Sequence, residues 1–234
     1  MPMDNLCSSR EIDSSPQIVI STAVERGSSS IKREPDWVHT MMTSRSGSVI
    51  RMNPWDQWSR VGGNCPPLSE SLRVALPQRW ARIYNLPRGR RLPSGPEDEQ
   101  ELLYRNNIVA STVLGVGADC VAVLIEWGEP PEKFNSWQVA PPAPPWKLDD
   151  DRHEMLATAI FKWTKLRWRP GDFDDEILAA ARGELGRLAI FAPHTRGIYC
   201  PYDGGVDVFL AEPADTVAIK RLLAAWCSDL ESGL

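Results

Sequence analysis

His194, Asp203 and Asp207 stand close together near the C-terminal end of the chain. An imidazole with two carboxylates is a set that general acid–base catalysis or a metal-held water can use. On that reading the chain is a small hydrolase working through these three residues, with or without a metal. The plainer alternative has Asp203 opening a turn at Gly204-Gly205, where positive φ is needed, and Asp207 bonding a neighbouring backbone group or arginine. Cys200 could join His194 and Asp203 as a nucleophile, but no helix N-terminus follows it to lower the thiol pKa. The run Asp149-Asp150-Asp151 with His153 and Glu154 lacks the glycine-punctuated spacing of a calcium loop and reads as solvated. Arg88-Gly89-Arg90-Arg91, with Arg79 and Arg82 nearby, could hold a phosphate or an acidic partner, or form a solvated turn.

The totals narrow the classes. Among 234 residues, 42% are hydrophobic and 24% charged, an ordinary globular balance. The net charge of −5 disfavours nucleic acid and gives no attraction to an anionic membrane. The five cysteines are scattered and form no Cys-x-x-Cys pair, so neither a disulfide framework nor a thiolate zinc site is expected. Reduced thiols fit a cytoplasmic protein. No apolar run approaches a bilayer span, and the N-terminus lacks the pattern of a secretory signal. P-loop, GxGxxG, HExxH and GxSxG patterns are absent, so no cofactor and no resident metal are expected. The reading leans away from an enzyme.

Residues 1–52 are serine-rich and aperiodic, with too few apolar side chains to offset the entropy of ordering. They read as a disordered leader to a single domain over 53–234. Trp55 and Trp58 sit in an irregular stretch and are expected to pack as an ordered arm, because indoles are costly to leave in water. Arg79–Leu86 reads as a strand. A helix follows, opened near Ser94 and Pro96 and carrying Leu102, Leu103, Ile108, Val109, Val113 and Leu114. Asp119–Trp127 is a strand buried on both faces. A proline-rich loop comes next, bordered or occupied by Trp127, Trp137 and Trp146. His153–Arg167 alternates as a strand would. A second helix opens at Asp172, and three strands follow at 185–192, 197–202 and 206–211. The closing helix over 213–230 is expected to present Val217, Leu222, Leu223 and Trp226 on one side. The fold class is α+β, a helix-covered mixed or antiparallel sheet in the order β-α-β-β-α-β-β-β-α. Its first six elements match a split βαβ pattern.

The run Pro201-Tyr202-Asp203-Gly204-Gly205-Val206-Asp207-Val208, then a helix with Trp226 and the ending Ser232-Gly233-Leu234, carries a resemblance. It is similar to a family of uncharacterised bacterial proteins of the domain-of-unknown-function kind, and the similarity extends back to Asn53-Pro54-Trp55. Some relatives resemble the small immunity proteins that accompany bacterial toxins. The resemblance implies no activity. A non-catalytic protein-binding module is therefore expected, with a protein partner and neither nucleic acid nor membrane. Its contact surface would be Tyr202, Asp203, Gly204, Gly205 and Asp207, with Trp137 and Trp146 from the loop, since interfaces favour Trp and Arg. No feature specifies an oligomeric state.

Overall fold

Alternation between two buried faces organises the sheet. The computed structural model describes residues 53–129, 131–146 and 152–227, the side chains of 152–154 excepted. The expected leader, residues 1–52, lies outside them. Two helices come first, α1 (Pro54–Val61) and α2 (Ser69–Ala75). Then follow β1 (Trp80–Tyr84), α3 (Pro96–Leu114), β2 (Asp119–Glu126), β3 (Gln138–Val139) and α4 (Arg152–Ala157). The remainder is β4 (Ile160–Arg167), α5 (Asp174–Ala181), β5 (Arg187–Ala192), β6 (Gly197–Tyr202), β7 (Gly205–Phe209) and α6 (Pro213–Leu222). The expected α+β series is present, with α1 and α2 ahead of it and β3 and α4 added inside the long connection.

Seven strands form one sheet in the order β1-β7-β6-β5-β2-β4-β3, and every neighbouring pair is antiparallel. The split βαβ expectation is corrected in one respect. β4 and β5 run parallel with β2 between them, joined through α5, and that unit is a split βαβ. β1, however, lies at the far edge, because β5, β6 and β7 insert between it and β2. Its other edge is met by a bridge from Ile83 to Cys227.

Helices cover both faces. Ala122, Ile190, Tyr199, Val206 and Val208 point to one side, where Leu102, Val109 and Val113 of α3, Ile177 of α5 and Ile219 of α6 meet them. Val121, Val123, Phe191, Ile198 and Phe209 point to the other. There Trp55, Trp58, Leu72, Trp146 and Leu156 pack. The tryptophan arm is thus a helix: Asn53 caps α1 by accepting the Trp55 backbone N–H, and Pro54 suits its first turn. β2 is buried on both faces, as its unbroken apolar run implies.

Two boundaries differ from the reading of the sequence. His153–Arg167 is not one strand: α4 occupies its start, and β4 begins only at Ile160. Met155, Leu156 and Ala157 are good helix formers, whereas aromatic and β-branched residues begin at Ile160. The closing helix stops at Leu222 and is followed by a 3-10 turn, Ala224–Trp226; the expected extension beyond 227 lies outside the described residues. Its inner face is Thr216, Ile219 and Leu223, while Val217 and Leu222 are 48% and 60% exposed. Positions i, i+3 and i+7 share a helix face, and Val217 falls between them.

Trp58 ties α1 to the sheet: its indole N–H donates to the Cys65 carbonyl at 2.6 Å, and its ring meets Phe191 edge-on at 5.1 Å. Trp58→Ala should cost about 3–5 kcal/mol in urea unfolding. A loss below about 1 kcal/mol would instead place α1 outside the cooperative unit.

Candidate functional site

The hairpin between β6 and β7 is set by its turn. Tyr202 pairs with Gly205, leaving Asp203-Gly204 as the loop, and Gly204 supplies a φ of 91° that L side chains rarely adopt. A chain of buried amides holds it from behind. The Tyr199 hydroxyl donates to Asn106 Oδ1 at 2.7 Å, Asn106 Nδ2 donates to Asn85 Oδ1 at 2.9 Å, and Asn85 Nδ2 donates to the Tyr202 carbonyl at 3.0 Å. Burial pushes the Tyr199 phenol well above its ordinary pKa, so it stays a donor. The backbone ladder between β5 and β6 ends at the Ile190–Tyr199 pair. Two residues further along β6 is Pro201, which has no N–H to give.

Asp207 lies on the opposite face of β7, cross-strand from Arg82 and from Cys200. Its side chain is 0% exposed. Oδ1 accepts the Trp80 indole N–H at 2.9 Å and Arg82 Nε at 3.3 Å. Oδ2 lies 3.4 Å from Arg73 Nε on α2, within ion-pair range, yet accepts no aligned hydrogen bond. Burial pushes the carboxyl above the usual aspartate range, opposed by the Trp80 N–H and by the Arg73 and Arg82 guanidiniums. Aromatic rings interleave with these cations. Arg73 and Arg82 lie 5.8 and 5.6 Å from the Trp80 ring, Lys220 lies 5.9 Å from it, and Arg82 lies 5.5 Å from Tyr202. Beside them Arg187 Nε donates to Glu70 on α2 at 3.1 Å.

The residues singled out from sequence separate into several places. Asp203 is at the turn, where it pairs with Arg91. His194 is exposed in the turn between β5 and β6, at the other end of β6. Six strand residues intervene, about 20 Å at 3.3 Å each. The geometry therefore does not assemble the acid–base set of His194, Asp203 and Asp207, nor Cys200 with His194 and Asp203. Asp207 instead takes the partner that the plainer reading named, an arginine. Of the basic loop, Arg90 pairs with Asp98 and Arg91 with Asp203. Arg79 donates to the carbonyls of Leu210, Val61 and Arg196, a structural knot.

Trp146 is 5% exposed and packs edge-on against Trp55 at 5.3 Å. Trp137 is half-buried against Phe134 at 5.0 Å. It precedes β3 at the far edge of the sheet, four strand positions or about 19 Å from β6. Neither indole joins the hairpin. Trp55, Trp58 and Trp146, with Pro142 and Pro144, line a separate cavity of about 490 Å³. Among the described residues no group of His, Cys, Asp or Glu could hold a metal ion; Asp149–Asp151 and the His153 and Glu154 side chains lie outside them. Sequence reasoning missed Arg73 and Trp80, although the alternation Trp80-Ala81-Arg82-Ile83-Tyr84 already places Trp80 and Arg82 on one face.

Two outcomes follow. Asp207→Ala leaves two guanidiniums without their anion and should lower stability by about 3–5 kcal/mol in denaturant titration; a loss under about 1 kcal/mol would mean the carboxylate organises nothing. Burial also pushes the Cys120 thiol up to about 12 and the Cys200 thiol well above its ordinary value. At pH 8 both remain protonated, so in the native protein iodoacetamide should label Cys227, only half-buried, well before either. Early labelling of Cys200, read by mass spectrometry, would contradict this.

The chain matches no curated protein and no solved structure. Residues 68–231 do match a protein family, and that span runs from the start of α2 past the end of α6. α1 and Asn53-Pro54-Trp55, to which the sequence resemblance was extended, precede it. On that match, which covers well over half its length, the chain belongs to the family described as Domain of unknown function (DUF3885).

Proposed function

We propose that the chain is a non-catalytic protein-binding module whose contact surface is Arg73 on α2, Trp80 and Arg82 on β1, and the tip of the β6–β7 hairpin. The observation that supports it most is the state of Arg82. Its side chain is only 12% exposed, held by Asp207 through Nε and flanked by the Trp80 and Tyr202 rings. An arginine fixed between two aromatic rings is the composition of an interface hot spot, and little conformational entropy remains to be lost when a partner arrives. Tyr202, Asp203 and Gly204, each partly exposed, extend the surface at the hairpin tip. The loop tryptophans are no part of it.

The thiols of Cys120 and Cys200 are buried and protonated, and the one exposed histidine of the hairpin region stands alone at the far turn. These features favour recognition over chemistry. The resemblance to immunity proteins suggests a toxin domain as the class of partner, and it rests on that resemblance alone.

The full tagged chain, expressed in its source organism, is the bait. Wild type should retain one partner near stoichiometry, and Arg73→Ala should weaken that complex at least about tenfold at a temperature where circular dichroism shows the variant, though less stable, still folded. Arg73 is the better target because Arg82 and Asp207 are more deeply built into the fold. Retention unchanged in both Arg73→Ala and Tyr202→Ala, with the fold intact, would sink the proposal.

A further inference from the structure

The charges around Trp80 do not balance. Arg73, Arg82 and Lys220 all lie within 5.9 Å of its ring, and among the described residues one carboxylate, Asp207, pairs with the two arginines. The adjacent Glu70 is matched by Arg187. Among the described residues, positive groups thus outnumber negative ones around this ring in a chain whose net charge is −5. The binding geometry of the two arginines sharpens this. Each approaches Asp207 through Nε, at 3.4 and 3.3 Å, and not through the forked pair of Nη atoms. Neither fork has an acceptor among the described residues. The Arg73 and Arg82 side chains are 24% and 12% exposed, so both keep an opening to solvent. A guanidinium fork matches an oxygen pair on carboxylate or phosphate. Arg82 is oriented by its hydrogen bond to Asp207 and Arg73 by one to the Ser69 carbonyl, and the same carboxylate lies within ion-pair range of both, so one small ligand can meet both.

We infer that the Nη forks of Arg73 and Arg82, aimed by Asp207 and walled by Trp80 and Tyr202, form a receptor for a single oxyanion, a carboxylate or phosphate group carried by the partner protein. This rests on the binding surface proposed above and names the chemistry it recognises. Asp207 acts as a positioning residue: it fixes Arg82 by a hydrogen bond, attracts Arg73 from ion-pair range and offsets one positive charge, which favours one anionic group over an extended polyanion. Tyr202 closes the side of the site, and burial pushes its phenol well above the ordinary range, so its hydroxyl remains protonated beside the ligand.

The full chain, labelled with nitrogen-15, is titrated with inorganic phosphate and separately with acetate, at constant ionic strength kept with chloride. The Nε–H signals of Arg73 and Arg82 should shift and saturate with one of these anions. Arg73→Lys keeps the charge but loses the fork, and should weaken that binding at least about tenfold. Saturation by phosphate alone assigns the oxyanion to a phosphorylated residue, and saturation by acetate assigns it to a carboxylate. Shifts that chloride reproduces, that never saturate, or that Arg73→Lys leaves unchanged overturn the inference. So does tighter saturation by a single-stranded oligonucleotide than by either anion, which would make the site a nucleic-acid contact. A chain that loses its partner on Arg73→Ala but binds neither anion keeps its docking surface and loses only the oxyanion reading. A chain that binds the anion but retains no partner does the reverse.

Discussion

Removing a carboxylate from water costs several kcal/mol unless its oxygens are met by donors. The Asp207 side chain is entirely out of water. Its donors, Trp80 and Arg82, come from β1, and α2, remote in sequence, brings the Arg73 guanidinium within ion-pair range. The register of β1 against β7 is therefore not free. A slip of one residue would turn Trp80 and Arg82 to the other face and leave the anion bare. α2 must lie over this end of the sheet for the same reason, and Arg187 on β5 holds it there through Glu70. The buried remainder of the face, from Val121 and Phe191 to Phe209, is apolar and packs by volume. This one polar point sets the alignment of a sheet edge, a helix and a hairpin together.

A second polar point lies on the reverse face. Asn106, Asn85 and Tyr199 are buried among the aliphatic side chains of α3 and β6, and each finds a partner in another. The hairpin is gripped from both sides of the sheet, by hydrogen bonds between neutral amides behind and by charges in front. Arg91 and Asn85 fasten its tip through Asp203 and the Gly204 carbonyl. A turn held in this way is a rigid platform, which suits binding better than a swinging loop does.

Local pattern made the strands legible. β2 is an unbroken apolar run with both faces buried, and the glycines at 204 and 205 announced the hairpin. The misread segments are those where two periodicities coexist. Met155 and Ala157 alternate as a strand would, yet they belong to a short helix whose buried member is Leu156. Val217 and Leu222 look like core from their type, and only the phase set by Ile219 shows that they face out. For the site, the type of partner taken by Asp207 was legible, because a charge inside an apolar strand must be met by a donor. Which arginine was not. Arg73 lies on a helix that reads as loop in sequence, and its meeting with Asp207 depends on strand order, which local pattern does not encode. His194 and Asp203 show the converse: they are close in sequence, but a strand runs between them.

Trp80 and Asp207 are hydrogen-bonded yet 127 positions apart in the chain. Contacts that distant close late, since much loop entropy must be lost before they form. On the ribosome β1 emerges long before β7 exists, and among the described residues its one strand neighbour is β7, with the still later Cys227 bridging its other edge. Until then its edge is open and Arg82 has no anion. The surface around Asp207 is thus among the last parts of the molecule to be completed, and an incomplete or misregistered chain does not display it. A partner that docks there would distinguish finished molecules from nascent ones, so recognition would itself serve as a check on folding.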